Sequence, residues 1–225
     1  HPGQEQKAAW LQVRRYKPDY VFLTGWGVMN QVAIKEAAAI RFPMDHFIGN
    51  WWSGAEPDVL PAGKTAIGYI AATFNQPGAG TQAHADIVKH VYGGDAAAAK
   101  KGQIGQVLYN RGIINAIYDT EAVRTAMGKY GNKAMSGEQV RWGLENLNLT
   151  EARLGELGVK GFMGPISVSC KDHEGGGKVM FQQWSGTEWK IVKGWTDTMQ
   201  DVIRPMIEEA AAAYAKENKI TPRAC

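Results

Sequence analysis

The chain has 225 residues, 44% of them hydrophobic, which is enough for one large globular domain or two small ones. Its formal charge of +3 comes from 25 basic and 22 acidic residues scattered along the chain, without a lysine- and arginine-rich cluster interleaved with aromatic residues. This pattern excludes nucleic acid as an expected partner. No apolar run approaches the roughly 20 residues of a membrane-spanning helix. Because the first residues carry neither an initiator methionine nor a signal-peptide apolar segment, we expect a processed or cut chain.

The first third of the chain alternates between helical and strand patterns. Residues 5–16 and 28–42 have the pattern of helices, and the second helix is predicted to stop at Pro43. Short apolar runs rich in β-forming residues predict three strands, within residues 18–25, 46–49 and 65–74. This βαβ alternation predicts an α/β fold with a parallel sheet covered by helices.

The remainder of the chain is first helical and then returns to strands. Helices are predicted at residues 81–94 and 106–127, and Ser136 with Gln139 has the spacing of a capping box that begins another helix. The runs "KVMFQQW" and "EWKIVKGW" flank "SGT" and predict a hairpin, followed by a last helix within residues 197–218. This order indicates two lobes, with the chain crossing between them more than once.

Several segments, taken in order, carry a resemblance to a known family. "KPDYVFLTGWG", "FPMDHFIGNWWSGAE", "GYIAATF", "YNRGIINAIYDTEAVR" and "GFMGPISVSCKDHEGGGKVMFQQW" resemble the type I periplasmic binding proteins of branched-chain amino-acid ABC transporters, up to about Trp195. The resemblance implies two Rossmann-like lobes, joined by three hinge strands, that close over a small ligand. Only the later part of such a protein is recognised, so we expect the first lobe to be incomplete.

The resemblance also implies domain boundaries. It assigns residues 1–75 to a second-lobe α/β segment, 76–165 to a mainly helical first-lobe segment, 166–195 to a second-lobe return with the hairpin, and 196–225 to a C-terminal helix and tail. We expect a complementary piece to complete the first lobe, either a missing N-terminal portion or another chain.

Two tryptophan-bearing loops follow neighbouring predicted strands. In open α/β sheets ligands bind beyond the carboxyl ends of strands, so Trp26 in "TGWG" and Trp51 in "GNWWSG" are predicted to form aromatic walls of one cleft, with Asn50 beside them. In amino-acid-binding members, the resemblance implies a carboxylate at the position of Trp51 that pairs with the ligand's ammonium group. Its replacement by an aromatic residue favours a flat or apolar ligand.

Three further residues are predicted to contact the ligand. Phe74 lies where the third strand leaves its lobe, and hinge packing is the alternative. Tyr109 and Arg111 lie at the start of the long helix that is assigned to the other lobe. There a guanidinium can clamp a ligand carboxylate through two parallel hydrogen bonds, although a surface salt bridge explains Arg111 equally well.

The tryptophans and the nearby acid have structural interpretations as well. Packing in the core or between lobes is an alternative for Trp26 and Trp51, and it is the favoured one for Trp52, because adjacent residues seldom face the same way. Glu56 can serve an ammonium group, although a solvated helix cap is the favoured role.

Other motifs predict neither catalysis nor a cofactor. "GWGVMN" has Asn30 in place of the third glycine of a dinucleotide fingerprint, and the bulk of Trp26 would obstruct a pyrophosphate. The histidines show no metal-ligand spacing, and no serine, cysteine or aspartate lies in a nucleophile motif. "KDHEGGG" is interpreted as a polar strand connection rather than an acid–base or metal site. We expect no cofactor, no metal and no catalytic residue.

The predicted function is that of an extracytoplasmic, periplasmic solute-binding protein of an ABC importer, a binder and not an enzyme. Its predicted ligand is a small aromatic or apolar carboxylate, captured by lobe closure, and its predicted partners are the permease subunits. The alternatives are branched-chain amino-acid binding by the same fold, the ligand-sensing domain of a receptor or regulator, and a Rossmann-like enzyme.

The sequence contains two cysteines, Cys170 and Cys225. In an exported protein two cysteines more often pair than not, so we predict a disulfide that fixes the terminal helix. The alternative is a buried thiol with a reactive tail.

Overall fold

The computed structural model describes residues 3–225, which form an α/β fold. The helices are α1 Lys7–Tyr16, α2 Val28–Ala39, α3 Glu56–Val59, α4 Gln82–His90, α5 Ala96–Lys101, α6 Val107–Tyr130, α7 Gly137–Leu144, α8 Glu151–Glu156 and α9 Gln200–Glu217. The strands are β1 Val21–Leu23, β2 Phe47–Gly49, β3 Ile70–Thr73, β4 Asn148–Leu149, β5 Ile166–Ser167, β6 Lys178–Trp184 and β7 Trp189–Asp197. Between residues 3 and 225, no helix combines the length and apolarity that crossing a membrane requires.

The larger sheet has the strand order β1-β2-β3-β6-β7. Strands β1, β2 and β3 are parallel, as the βαβ pattern predicts, and β6 pairs with β3 in the antiparallel sense. The predicted hairpin is confirmed, because β6 and β7 are neighbours joined by a turn in which the Ser185 N–H donates to the Glu188 carbonyl at 3.0 Å. The predicted capping box is also confirmed, since Ser136 and Gln139 exchange side-chain and backbone hydrogen bonds at the start of α7.

The third predicted strand is shorter than the sequence pattern indicated. Residues Leu60–Ala66 form a 3-10 segment, and Gly68 has a positive φ of 97° that interrupts extended backbone. Strand β3 therefore begins only at Ile70.

One face of the larger sheet carries the core of this part of the chain. Phe47 is fully buried and meets the rings of Trp10 and Tyr69 edge-on, with centroid distances of 5.1 and 5.0 Å. Trp184 and Trp189 of the hairpin extend the same aromatic cluster. Helix α2 connects β1 to β2 and contributes Ala33, Ile34 and Ala37 to this core. Crossovers between neighbouring parallel strands have one preferred hand, which fixes the face of the sheet that such a helix covers.

The opposite face of the sheet is apolar but incompletely covered by the described residues. The pairing register aligns Phe22, Ile48 and Ile70 across β1, β2 and β3, and Ala72 with Phe181 across β3 and β6. Phe22 is 75% exposed, and the other four are half-buried. Parallel strands are normally covered on both faces. This partly exposed apolar surface therefore resembles an interface in its composition.

The described residues cluster into two compact units. The first, called unit 1, contains residues up to Ala116, Glu151–Gly164 and Val179–Thr196, and it includes the larger sheet. The second, called unit 2, contains Ile117–Thr150, Pro165–Lys178 and Asp197–Cys225. The lobe boundaries inferred from the family resemblance stay a prediction.

Unit 2 is organised around the later turns of α6. Helix α7 approaches α6 closely, and Gly143 lies so near the Ala122 carbonyl that a side chain at residue 143 would collide with it. Strands β4 and β5 form a small antiparallel sheet. Cys170 and Cys225 are joined by a disulfide with a Cα–Cα distance of 5.5 Å, and nearby Arg223 pairs with Glu145 at 2.5 Å. The disulfide ties the tail that follows α9 to the segment after β5.

Candidate functional site

A cavity of about 600 Å³ opens in unit 1 at the loops that follow β1 and β2. Its position agrees with the rule that ligands bind beyond the carboxyl ends of parallel strands. It is lined by Trp26, Gly27, Gln31, Trp52, Ala55, Pro57, Asp58, Leu108 and Arg111. The lining combines large apolar side chains with a few polar ones, which is the usual composition of a small-molecule site.

The first aromatic wall is Trp26, on the loop between β1 and α2. Its side chain is 67% exposed. The following residue, Gly27, has a φ of +57°, a conformation that glycine adopts without strain and that lets α2 begin at Val28. The sharp turn therefore leaves Trp26 at the rim of the cavity rather than in the core.

The second aromatic wall is built from two adjacent tryptophans whose rings lie against each other. Residues Trp51–Ser53 form a 3-10 turn, in which the rings of Trp51 and Trp52 lie 4.1 Å apart with an interplanar angle of 31°. Trp52 is 51% exposed and lines the cavity, contrary to the packing role favoured for it from the sequence. Trp51 is half-buried behind it, 5.6 Å from the ring of Phe74. The pair thus consists of an outer tryptophan supported by an inner one.

Arg111 attaches the first turns of α6 to this wall. Its guanidinium lies 5.1 Å from the centre of the Trp51 ring, and its Nη2 donates a hydrogen bond to the Trp51 carbonyl. Val107, at the start of the same helix, donates its backbone N–H to Glu56 Oε2 at 3.0 Å. Arg111 belongs to the same compact unit as the tryptophans.

Two carboxyl groups lie near Arg111. Burial raises the pKa of Glu56 above its ordinary value, although hydrogen bonds from its own backbone and from Val107, and the charge of Arg111, act in the opposite direction. Burial also raises the pKa of Asp58, against a hydrogen bond from Asn30 that lowers it. Burial lowers the pKa of Arg111, and the charges of Asp58 and Glu56 oppose this effect. The site therefore combines one guanidinium with two partly buried carboxyl groups that interact with it.

A buried polar network supports both loops from below. Asn30 donates through Nδ2 to the Trp52 carbonyl and to Asp58 Oδ1, each at 2.9 Å. The Ser53 hydroxyl lies 3.0 Å from the Gly25 carbonyl, 3.1 Å from Asn30 Oδ1 and 2.9 Å from Asn50 Oδ1. Asp58 Oδ2 accepts from the Ala55 N–H at 2.9 Å and so holds the start of α3.

The structure brings together some of the residues selected from the sequence and separates others. Trp26 and Arg111 line the cavity, whereas Trp51, Phe74 and Asn50 support its wall. Tyr109 lies outside the lining, and its phenol interacts with Tyr92. Their roles in ligand binding stay predictions.

The cavity also contains residues that the sequence reasoning did not select. Gln31, Leu108 and Asp58 line it, and Asn30 lies beneath it. The polar residues at the start of α2 and in "AEPD" follow the two tryptophan loops directly, and this position beside a strand end is the signal that could have identified them. Within residues 3–225, no cluster of histidine, cysteine and acidic side chains could hold a metal ion.

Comparisons with known proteins extend this description. The family model described as "Periplasmic binding protein" matches residues 1–188. A structure from the Pseudomonas fluorescens group, named as an ABC transporter permease, is 44% identical with a TM-score of 0.89, and the match covers 100% of this chain and 54% of that one. The search of curated proteins found no match.

Two more distant structures share the fold. A branched-chain amino-acid ABC transporter protein from Thermus thermophilus with bound valine is 19% identical, with a TM-score of 0.64 and coverage of 87% of this chain and 50% of that one. A solute-binding protein of an ABC transporter from R. palustris in complex with benzoate is 14% identical, with a TM-score of 0.59 and coverage of 86% and 48%.

The chain spans about half the length of these solved structures. The family model nevertheless covers most of the chain, and the mixed sheet with its parallel strands agrees with the fold of the matched proteins. The chain therefore belongs to the periplasmic binding protein family and has the type I fold found in branched-chain amino-acid ABC transporters.

Proposed function

We propose that this chain is part of an extracytoplasmic solute-binding protein of an ABC importer, located in the periplasm, that captures a small aromatic or apolar carboxylate by lobe closure. The observation that carries this proposal is the cavity of unit 1, in which Trp26 and Trp52 supply aromatic surface beside the guanidinium of Arg111. In this function the protein binds its ligand and delivers it to permease subunits without catalysing a reaction.

The aromatic surface accounts for the ring of such a ligand. Trp26 and Trp52 are both more than half exposed, so a ligand that covers them removes a large apolar area from water. Aromatic contacts add about 1 kcal/mol beyond the buried area. The inner ring of Trp51 supports Trp52, which reduces the ordering that binding requires.

Arg111 is the residue to which we assign the carboxylate of the ligand. A guanidinium has five N–H donors, and the bond from Nη2 to the Trp51 carbonyl leaves capacity for an anionic ligand. The R. palustris relative is named as a complex with benzoate, so this fold accommodates an aromatic acid in at least one protein.

A specific observation favours a second candidate, branched-chain amino-acid binding. Asp58 lines the cavity and can accept a hydrogen bond from an ammonium group. The Thermus thermophilus relative is named with bound valine. Asp58 is only 5% exposed, and its oxygens already accept hydrogen bonds from Asn30 and from Ala55, so we place this candidate second.

Substitutions in the cavity test the first candidate. In titration calorimetry with benzoate, Trp52→Ala should weaken binding about tenfold through lost stacking and buried area. Arg111→Ala should weaken benzoate binding by about 10- to 100-fold, since hydrogen bonds to charged groups are among the strongest, but it should affect the neutral analogue benzamide less. Trp195→Ala is the matched control, because Trp195 lies in unit 1 and does not line the cavity. Equal losses in all three variants would contradict the assigned roles.

The apolar sheet face supports a partner that completes the fold. Phe22, Ile48, Ile70, Ala72 and Phe181 present a half-covered surface on strands that other members of this fold class bury. We propose that a complementary polypeptide, either an N-terminal portion or another chain, covers this face and supplies the remainder of the first lobe.

Mixing this chain with the portion of the Pseudomonas structure that it does not cover tests this partner. We expect the isolated chain to bind an apolar fluorescent dye, and we expect the complementary polypeptide to suppress that signal and form a complex of defined mass. Phe22→Asp, on the exposed face, should block the complex without unfolding the chain. A compact monomer that binds no dye would contradict the proposal.

A further inference from the structure

We infer that Asn30 is a positioning residue, which holds the Trp26 and Trp52 loops at a fixed separation and thereby sets the preference of the cavity for flat ligands. This inference rests on the proposed function, because it concerns the selectivity of the same cavity. Asn30 is fully buried beneath the cavity.

The hydrogen bonds of Asn30 reach both loops and α3. Its Nδ2 bonds the Trp52 carbonyl and Asp58 Oδ1, each at 2.9 Å. The Ser53 hydroxyl lies 3.1 Å from Asn30 Oδ1 and 3.0 Å from the Gly25 carbonyl, next to Trp26, and its single proton serves one of these acceptors at a time. The backbone N–H of Asn30 donates to the carbonyl of Gly27, which follows Trp26, at 3.1 Å. Asn30 thus bonds the second tryptophan loop through its side chain and the first through its backbone, and the Ser53 hydroxyl lies between the two loops.

Close packing prevents these loops from shifting independently. A side chain at Gly25 would come within 2.7 Å of Asn30 Oδ1, so the first loop lies directly on the amide. Tyr69 donates its hydroxyl to the Ser53 carbonyl at 3.0 Å and supports the second loop from within the core. Buried networks of this kind are costly to break, since each unpaired group loses its partner without regaining water.

The side chains of Trp26 and Trp52 are less enclosed than this network, although the ring of Trp51 lies against that of Trp52. Trp26 and Trp52 are 67% and 51% exposed, so their separation follows from the backbone of their loops. A small change in that separation alters the contact with a flat ring more than the contact with a charged group, because stacking requires close parallel surfaces. Loss of the Asn30 bonds should therefore change selectivity and not affinity alone.

The substitution Asn30→Asp provides the sharpest test. It preserves shape and the Oδ1 acceptor but replaces the Nδ2 donor with an oxygen that faces the Trp52 carbonyl and Asp58. We expect the affinity for benzoate to fall about tenfold, and that for cyclohexanecarboxylate, a puckered carboxylate of similar size, to fall less than threefold. A benzoate-to-cyclohexanecarboxylate preference that stays within twofold of the wild-type value would overturn the inference.

Asn110→Asp is a matched control for general destabilisation. Asn110 is also fully buried in unit 1, and its Nδ2 donates to the Gln76 and Gly78 carbonyls, away from the cavity. We expect this variant to lower the melting temperature but to leave the ligand preference unchanged. If Asn30→Asp fails to fold, the same two affinities are measured for Ser53→Ala. This variant removes the hydroxyl that lies between the two loops and keeps both Nδ2 bonds of Asn30.

A second readout separates this inference from the proposed function. The rings of Trp51 and Trp52, 4.1 Å apart, should give a coupled near-ultraviolet circular dichroism signal, which does not depend on any ligand. If wild-type protein binds neither probe, the proposed function fails, while loss of this signal in Asn30→Asp and its retention in Asn110→Asp still support the positioning role. Retention of the signal in both variants would overturn it.

Discussion

Phe47→Ala should lower the free energy of unfolding by about 3–5 kcal/mol, as expected for removal of a large aromatic side chain from a packed core. Phe47 is fully buried on β2, and its ring meets those of Trp10, Phe42 and Tyr69 edge-on. Alanine leaves a cavity between helix α1 and the sheet, which this interlocked cluster cannot close by small movements. Urea denaturation followed by tryptophan fluorescence measures the loss.

Phe22→Ala is the matched control for this prediction. Phe22 occupies the neighbouring strand β1 at the residue paired with Ile48, but its side chain is 75% exposed. Its removal should change the free energy of unfolding by less than about 0.5 kcal/mol, as for other surface substitutions. If the two variants were equally destabilised, the assignment of the core to the Phe47 face would be wrong.

Removal of the disulfide should have an effect of similar size. Cys170 and Cys225 are 55 residues apart in the sequence, and in the chain-entropy model closure of such a loop stabilises the native state by roughly 4 kcal/mol. We expect the double variant Cys170→Ser/Cys225→Ser to be less stable than the oxidised wild type by about this amount. The loss should appear in unit 2, where both cysteines lie.

Reduction provides the control for the disulfide. Dithiothreitol should bring the wild type to the stability of the double variant and leave the double variant unchanged. Thiol titration under denaturing, non-reducing conditions should detect no free thiol in the wild type. Two titratable thiols would contradict the bond.

Sequence patterns predicted the architecture because its elements leave strong local signals. Strands β1 and β2 are short apolar runs between amphipathic helices, and the β6–β7 hairpin is two β-forming runs around a tight turn. Short elements such as α5 and α8, with six residues each, lack enough periodicity to be recognised. The late start of β3 depends on the positive φ of Gly68, which periodicity does not report.

The site was less predictable, because its contacts join residues far apart in the sequence. Alternation predicts that Trp51 and Trp52 face opposite ways, but the 3-10 turn brings their rings to 4.1 Å from each other. The sequence predicts Arg111 as an anion clamp or a surface salt bridge, and it gives no sign that Arg111 contacts Trp51, 60 residues earlier, and lies near two acids. In the sequence Asn30 is only a departure from a glycine motif, although its amide bonds residues 22 and 28 positions away.

Titration calorimetry of the wild-type protein with benzoate and L-valine, alone and after addition of the complementary polypeptide, tests the central claim most directly. The proposed capture of a small aromatic or apolar carboxylate predicts saturable benzoate binding that is tighter than valine binding and strengthens when the complementary polypeptide is present. Tight valine binding with no benzoate binding would contradict the claim and assign the ligand's ammonium group to Asp58 or Glu56.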